Sequence, residues 1–446
     1  MVPNALLKPV LGLAVGVLTF ILVPADREVA LALGVFVTIA WFWISEAIHI
    51  SATALMVPVL AVATGLLDMR GAVSGFASPV IFLFMGGFAL AAALQRHGID
   101  RWVASRILSL SPGRPLVAIV LLFLATSLLS MWISNTATVA LMLPIALGLL
   151  GRESADEKPA LYCFLLLGLA YAGNIGGMAT LIGSPPNAIA ASAAGISFTE
   201  WLGFGLPAFA VFFPAMVVLL YVIVRPQLNL AMDMADDTAE ALPGRGLVVL
   251  IFVATATCWV LGDFIAPLLG VESGFDTLVA LAAIVALTAT RSLPFDDFVA
   301  KTNWGILLLF GGGLTLSALM GTSGASQYLA DVVVAVMPGD SRWLLYLGIC
   351  LFVIFLTELV SNTASAALLV PIFMTVAAGL GAGEVEVAVM IAIGASCAFM
   401  LPVATPPNAL VFGSGFVPQR TMMRTGLVLN LAFAVVLSLM FTVFGP

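Results

Sequence analysis

Long apolar stretches, separated by short breaks rich in charge, glycine or proline, follow one another along almost the whole chain. A helix that crosses the hydrocarbon core of a bilayer needs about 20 such residues. Only 9% of the residues are charged, against roughly 25% in a typical soluble domain. The pattern therefore predicts an all-α polytopic membrane protein and excludes a soluble enzyme. A net charge of −7 without a basic stripe also excludes a nucleic-acid binder.

The apolar stretches predict about eleven full spans and a basic amphipathic segment at 96–114. The spans lie near 6–23, 29–48, 51–67, 79–95, 160–196 with an interruption at 183–187, 202–224, 246–262, 275–290, 303–321, 387–416 with an interruption at 404–408, and 421–445.

Two further stretches, 115–151 and 343–380, are each broken in the middle by the same polar triplet, Ser-Asn-Thr. After Thr136 about 14 apolar residues remain, which reach about 21 Å as a helix and fall short of a hydrocarbon core of about 30 Å. We therefore expect both stretches to be re-entrant helix-turn-helix hairpins with the triplet at the tip.

The two halves of the chain share motifs in the same order, at an offset near 220–227 residues. The recurring pairs are Ser134-Asn135-Thr136 with Ser361-Asn362-Thr363, Pro144 with Pro371, Phe84-Met85-Gly86-Gly87 with Phe310-Gly311-Gly312-Gly313, and Gly183-Ser184-Pro185-Pro186-Asn187 with Ala404-Thr405-Pro406-Pro407-Asn408. Four ordered matches indicate a duplicated unit. Because an odd number of spans separates the hairpins, we expect an inverted repeat, which is typical of secondary transporters.

Charge placement predicts the orientation. With the N-terminus in the cytoplasm, thirteen of the 16 Lys and Arg residues fall on the inside and three fall outside. This positive-inside bias predicts a cytoplasmic N-terminus and, after an odd number of spans, a C-terminus outside. The expected location is the plasma membrane, which is the inner membrane of a bacterium.

Each half also contains a span interrupted by Pro-Pro-Asn, at 185–187 and 406–408. Two prolines remove two N–H donors and cannot continue a helix, so the break frees backbone carbonyls. Such carbonyls, with Ser, Thr and Asn oxygens, suit a bare sodium ion. The helix that restarts after the break points its N-terminal N–H groups into the same space, where they suit a carboxylate.

No Lys or Arg lies within the hairpin tips or the interrupted segments. An anionic substrate there would rely on helix ends, amides, hydroxyls and co-bound cations, so the sequence predicts cation coupling. Glu358, three residues before the second triplet, is the one acidic residue inside a hairpin. Three roles stay open for it: a partner for backbone donors, which we favour, a proton site, or a distant electrostatic aid to the cation.

Other classes of protein find little support in the sequence. The four cysteines are widely spaced and form no CxxC pair, so neither a disulfide framework nor a zinc site is predicted. Two histidines at predicted helix ends supply no nucleophile–base pair for an intramembrane enzyme. A channel is a further rival, and the inverted repeat argues against it.

The paired triplets and Pro-Pro-Asn breaks resemble those of the divalent anion/sodium symporter family, which includes INDY-type dicarboxylate transporters and the sodium/carboxylate and sodium/sulfate cotransporters. The resemblance covers nearly the whole chain. It implies a homodimer whose protomers each divide into a scaffold and a transport domain that moves like an elevator. The implied scaffold and interfacial segment occupy 1–114 and 201–341, the transport domain occupies 115–200 and 342–418, and 419–446 is the last transmembrane helix.

The resemblance also implies ligand residues, matched position by position. The first sodium site would use Ser130, Ser134, Asn135 and the backbone of Gly183, and the second Thr357, Ser361, Asn362 and the backbone of Ala404. The substrate carboxylates would contact Asn135, Thr136, Asn362 and Thr363, in a pocket shaped by Thr405 and Pro406.

Two positions depart from the family pattern. Ser184 replaces a threonine that is frequent in the first interrupted span, and Val360 stands where some relatives have a smaller residue. No basic residue lies near either tip, which favours the sodium-coupled members of the family over its exchangers.

The expected function is sodium-coupled import of C4-dicarboxylates such as succinate, malate and fumarate. Citrate or sulfate symport and sodium-independent dicarboxylate exchange stay open, because the sequence does not fix the preferred anion. The expected partners are the anion, co-transported sodium ions, the lipid bilayer and a second copy of the chain.

Overall fold

A computed structural model describes residues 3–111, 114–150, 158–228, 244–271, 273–336, 342–380 and 382–444. All regular structure in these ranges is helical, which confirms the predicted class. Besides a 3₁₀ turn at Gly75–Ala77, the helices are α1 (Pro3–Leu22), α2 (Arg27–Ser45), α3 (Ile50–Ala63), α4 (Met69–Ser74), α5 (Pro79–Arg96), α6 (Ile99–Leu108), α7 (Pro115–Ser130), α8 (Asn135–Leu149), α9 (Pro159–Gly177), α10 (Pro185–Ala194), α11 (Phe198–Val224), α12 (Arg245–Val260), α13 (Gly262–Leu268), α14 (Phe275–Ala289), α15 (Phe295–Lys301), α16 (Trp304–Thr322), α17 (Ala325–Val336), α18 (Arg342–Thr357), α19 (Asn362–Gly379), α20 (Glu384–Ala395), α21 (Pro406–Gly413) and α22 (Gln419–Phe444).

Within the described residues, seven helices are long and apolar enough to cross a membrane, or eight if the bent pair α12–α13 is one span. Other predicted spans correspond to shorter apolar helices, among them α3 with 14 residues and α14 with 15. The predicted multi-pass architecture is therefore confirmed. The 88° bend between α12 and α13 was not predicted, because no proline marks the break at Leu261.

Both Ser-Asn-Thr triplets lie at the turn of a helical hairpin whose arms pack on each other. In hairpin 1, α7 ends at Ser130 and α8 begins at Asn135, and in hairpin 2, α18 ends at Thr357 and α19 begins at Asn362. α8 has 15 residues, about 22 Å of helix, which is too short to span. α19 has 18 residues and is long enough for a span, so helix length supports a re-entrant arm only in hairpin 1.

Helices α3 to α11 recur in the same order as α14 to α22, which confirms the internal repeat. The two copies interleave. α3 packs on α16, and α5 packs on α14. Because α3 is equivalent to α14 and α5 to α16, these two contacts are the same contact made once by each copy. The same exchange holds at the interrupted spans, where α10 packs on α20 and α21 packs on α9. Reciprocal pairing of this kind is expected for two copies related by a pseudo-two-fold axis.

Helix α9 positions hairpin 1. Residues 161–177 are all buried, as expected for a helix that is apolar on every side. Its glycines allow close approach: a Cβ at Gly168 would lie 2.1 Å from the Phe123 ring, and one at Gly176 would lie 2.3 Å from the carbonyl oxygen of Ser127. Both contacts are with α7, so the small residues of α9 determine where the tip of hairpin 1 is held.

Candidate functional site

Four helices begin at the motifs that the sequence singles out. α8 begins at Asn135 and α19 at Asn362, directly after the serine of each triplet, and α10 and α21 begin at Pro185 and Pro406. α8 and α19 start with N–H groups that have no partner within the helix. α10 and α21 start with two prolines, which have no N–H, so in these helices such groups first occur at the third residue, Asn187 or Asn408. The four ends carry a positive partial charge, which favours an anion in front of them.

Three oxygen atoms converge behind the tip of hairpin 1. The fully buried Ser130 hydroxyl lies 2.6 Å from Asn135 Oδ1 and 2.7 Å from the carbonyl oxygen of Gly173. A hydroxyl has a single hydrogen to donate, so only one of these acceptors receives it. We call Ser130 Oγ, Asn135 Oδ1 and Gly173 O oxygen cluster 1. It is electron-rich but carries no formal charge.

The equivalent atoms converge behind the tip of hairpin 2. The buried Thr357 hydroxyl lies 2.7 Å from Asn362 Oδ1 and 3.1 Å from the carbonyl oxygen of Ala395. Thr357 Oγ1, Asn362 Oδ1 and Ala395 O form oxygen cluster 2. The structure thus brings together the hydroxyl and the amide expected at each sodium site. The carbonyls of Gly173 and Ala395 were not among the expected ligands.

The expected carbonyl donors Gly183 and Ala404 lie in the interrupted segments. A Cβ at Gly183 would lie 2.5 Å from the carbonyl oxygen of Gly177, and a Cβ at Gly177 would lie 2.4 Å from Asn135 Oδ1. In space, Gly177 therefore lies between Gly183 and oxygen cluster 1. Ala404 lies two residues before the start of α21 and is almost fully buried, and its N–H donates to the Leu401 carbonyl at 3.2 Å.

The remaining tip residues lie outside the two clusters. Ser134 is exposed, and its hydroxyl accepts the N–H of Ala137 at 3.3 Å as the N-cap of α8. Ser361, half-buried, is the N-cap of α19 and makes no side-chain cap bond. Thr136 is exposed, whereas the equivalent Thr363 is buried. The tip of hairpin 1 is therefore more accessible than the tip of hairpin 2.

The asparagine of each Pro-Pro-Asn motif holds its own break together, a role that is not predicted from the sequence. Asn187 Nδ2 donates to the carbonyl oxygens of Gly177 at 2.9 Å and Thr180 at 2.8 Å. Its equivalent makes the same pair of bonds, because Asn408 Nδ2 donates to the carbonyl oxygens of residues 398 and 401 at 3.0 and 3.1 Å. The sequence feature that could have indicated this role is the position of each asparagine directly after two prolines.

Polar contacts join the two repeats between the interrupted segments. Asn174 Nδ2 donates to Thr405 Oγ1 at 3.2 Å, and the hydroxyls of Ser184 and Ser396 lie 3.5 Å apart. Thr405, expected in the substrate pocket, is buried as the N-cap of α21, whereas Pro406 is exposed. The two candidate half-sites are therefore parts of one hydrogen-bonded region.

The buried Glu358 braces the second interrupted segment. Its carboxylate accepts the N–H groups of Phe399, Met400 and Leu401 at 2.7, 2.8 and 3.0 Å, and Asn430 Nδ2 donates to it at 2.7 Å. Four donors on one carboxylate correspond to the first of the three roles considered, a partner for backbone donors. The equivalent position in hairpin 1 is Met131, so this brace has no counterpart there.

Outside the hairpins, a cavity of about 1250 Å³ extends from Ser78 and Asp276 to Leu181 in the first interrupted segment. No tip residue lines it. Within the described residues, no group of three or more His, Cys, Asp and Glu side chains is placed to hold a metal ion. The candidate site consists instead of neutral oxygens, amides and helix N-termini.

The sequence model of a family described as citrate transporters (CitMHS) matches residues 40–338 and 276–446. The chain belongs to this family. It is accordingly a multi-pass membrane transporter and not an enzyme, as the sequence predicts. The resemblance to the divalent anion/sodium symporters is confirmed as well, by relatives named sodium-dependent dicarboxylate transporters.

Three relatives align over nearly their full length. An uncharacterized transporter of Haemophilus influenzae is 47% identical over 95% of this chain and 94% of its own. The sodium-dependent dicarboxylate transporter SdcS of Staphylococcus saprophyticus is 34% identical over 96% of this chain and 89% of its own. SdcS of Staphylococcus aureus is 33% identical over 96% and 90%.

Two solved structures share the fold. MtrF of Neisseria gonorrhoeae, described among a class of antimetabolite efflux pumps, matches with a TM-score of 0.59 and 18% identity over 96% of this chain and 97% of its own. The YdaH transporter of Alcanivorax borkumensis matches with a TM-score of 0.57 and 16% identity over 84% and 88%. At these identities the likeness concerns the fold alone.

Proposed function

We propose that the protein is a sodium-coupled secondary active transporter that imports C4-dicarboxylates such as succinate, malate and fumarate. The observation that carries this proposal is the pair of oxygen clusters. Each cluster holds three oxygens and a single hydroxyl hydrogen between them, so a sodium ion that enters gains three ligands and displaces only one hydrogen bond. Gly183 and Ala404 supply further carbonyls as the clusters close around the ion.

The dicarboxylate binds in front of the four helix N-termini. Asn135 and Asn362 turn their Nδ2 groups to the carboxylates, and Thr136 and Thr363 supply hydroxyls, while Thr405 and Pro406 shape the wall between the repeats. Asn135 and Asn362 each supply Oδ1 to an oxygen cluster, so one side chain serves both ion and substrate. This sharing favours joint binding.

Coupling follows from charge. A sodium ion among neutral oxygens at membrane depth lacks a formal counter-charge and binds weakly alone. A nearby dicarboxylate supplies that charge, and the sodium ions supply the field that the anion needs. Each ligand therefore raises the affinity for the other by the same factor.

The movement that we propose is an elevator motion of 115–200 and 342–418 against a scaffold of 1–114 and 201–341, in a homodimer. Packing supports the grouping of the moving parts, because α10 lies on α20 and α21 lies on α9. The bond between Asn430 and Glu358 ties 419–446 to hairpin 2. We place the protein in the bacterial inner membrane, with its N-terminus in the cytoplasm and its C-terminus outside.

The experiment that tests this function is uptake of labelled succinate into proteoliposomes with an imposed sodium gradient. We expect saturable uptake that requires an inward sodium gradient, with liposomes without protein as the control. Equal uptake after replacement of sodium by choline or potassium would contradict the proposal and favour exchange.

Citrate is the second candidate substrate, because the matching family is described as citrate transporters. Labelled citrate and sulfate, measured in the same vesicles, separate the substrates. Sodium-driven uptake of citrate without uptake of succinate would retain the coupling mechanism and replace the anion.

A further inference from the structure

A small groove with two arginines lies where the C-terminal end of α11 meets the first turns of α22. The helices run antiparallel, because Phe212 stacks on Phe433 at 4.2 Å and Phe204 on Phe441 at 6.1 Å between ring centroids. The groove has a volume of about 470 Å³ and is lined by Val222, Ile223, Arg225, Arg424 and Val428.

Both guanidinium groups lack an acidic partner among the described residues. Arg225 Nε donates to the Val222 carbonyl oxygen at 3.3 Å, and neither Arg225 nor Arg424 forms an ion pair with another described residue. Arg225 and Arg424 are exposed, and two like charges that face one groove repel each other. An anion placed between them would relieve this repulsion and accept hydrogen bonds from both guanidinium groups.

The arginine pair is not a product of the internal repeat. At the offset of 221 that relates Phe212 to Phe433, the residues equivalent to Arg424 and Arg225 are Gly203 and Pro446, which carry no side-chain charge. Arg225 also has a φ of 53° as the C-cap of α11, a left-handed conformation that glycine adopts more easily. An arginine at this position indicates that its positive charge has a function.

We propose that this groove binds the headgroup of an anionic phospholipid. The phosphate lies between Arg225 and Arg424, and an acyl chain runs along the valine and isoleucine side chains of the walls. A free inorganic anion would make no contact with these apolar side chains. Basic pockets between membrane helices on the cytoplasmic side are suited to such headgroups, and the positive-inside bias places both arginines on that side.

Lipid binding to the purified full chain tests the proposal. Retained lipid is counted by native mass spectrometry, and the thermal midpoint is measured with added phosphatidylglycerol or phosphatidylcholine. We expect phosphatidylglycerol to raise the midpoint of the wild type, and Arg225→Gln/Arg424→Gln to weaken its binding about thirtyfold, the effect of two surface charges. Arg424→Gln alone, expected to lose about fivefold, replaces the double variant if that variant does not fold.

Arg420→Gln is the matched control, because Arg420 is exposed on the same helix and does not line the groove. It should retain wild-type binding of phosphatidylglycerol. Equal loss in Arg420→Gln, or unchanged binding in the groove variants, would overturn the proposal. So would a midpoint shift of lipid-free protein by inorganic phosphate as large as that by phosphatidylglycerol, since it would indicate a small-anion site.

Discussion

Phe84 and Phe310 pack edge to face, with ring centroids 5.0 Å apart and ring planes at 89°. They are equivalent residues of the two repeats, 226 positions apart in the chain. Phe212 and Phe433, 221 positions apart, form a second contact of this kind. Equivalent residues can touch only near the axis that relates them. The two aromatic pairs therefore locate the pseudo-two-fold axis that brings both halves of the candidate site together.

Two glycines beside this axis should be intolerant of any side chain. A Cβ at Gly312 would lie 2.6 Å from the Ala54 carbonyl oxygen, and one at Gly86 would lie 2.6 Å from the Ala280 Cβ. Gly312→Ala should lower stability by about 1–3 kcal/mol through overpacking, seen as a lower thermal midpoint. Gly321→Ala on the same helix meets nothing within 4 Å and should be neutral or slightly stabilising. Equal midpoints in both variants would show that the repeats do not approach this closely.

Removal of the cluster hydroxyls should weaken sodium dependence selectively. Ser130→Ala and Thr357→Ala each remove one ligand oxygen, so the sodium concentration for half-maximal uptake should rise about tenfold, the effect of one lost bond to a charged group. The maximal rate should change less. Thr357→Ser should restore the wild-type value. Ser127→Ala is the control, since that buried hydroxyl donates only to the Ala172 carbonyl, and an equal effect there would remove the clusters from the ion site.

The tip asparagines should affect substrate and ion together. Asn135→Ala or Asn362→Ala removes an amide that faces the anion and an oxygen of a cluster, so dicarboxylate affinity should fall roughly ten- to a hundredfold with little loss of folded protein. Uptake kinetics and size-exclusion chromatography measure the two effects. Unchanged transport in both variants would exclude the tips from the binding site.

The sequence predicts those parts of the site that depend on local geometry. Ser130 and Asn135 lie five residues apart across a tight turn, as do Thr357 and Asn362, so the repeated triplets already indicate that each pair meets. The carbonyl that completes each cluster comes from another helix. In cluster 1 its identity depends on how the glycines of α9 pack against α7, and in cluster 2 on how α20 packs against α18, which no local pattern encodes.

Contacts across the repeats are equally absent from the sequence pattern. Asn174 and Thr405 are 231 residues apart, and their bond exists only because α21 packs on α9. The sequence leaves three roles open for Glu358, of which a partner for backbone donors is one. It places the acid near the tip but does not indicate which N–H groups face it. Local motifs thus predict hairpins and breaks, while tertiary packing decides how their polar groups pair.

Membrane orientation gives a prediction for labelling. Single cysteines at Arg114 and Arg152, which flank hairpin 1, should both react from the cytoplasmic side, and those at Arg342 and Glu384 from the outside. Arg152 lies outside the described residues. This prediction rests on the positive-inside bias and on the inverted repeat. Labelling of a chain whose native cysteines are replaced measures accessibility, and opposite sides for Arg114 and Arg152 would mean that hairpin 1 spans the membrane.

Glu358→Gln should break the brace of the second interrupted segment. The carboxylate accepts four N–H donors, whereas an amide has one acceptor oxygen and would turn its own NH₂ toward donors. Each bond to a buried charge contributes about 1.5–3 kcal/mol, so the thermal midpoint should fall strongly and transport should be lost with it. Asn430→Ala removes one donor and should have a smaller effect, and the exposed Glu384→Gln should have none. If Glu358→Gln kept its midpoint and altered only the pH dependence of uptake, Glu358 would be a proton site.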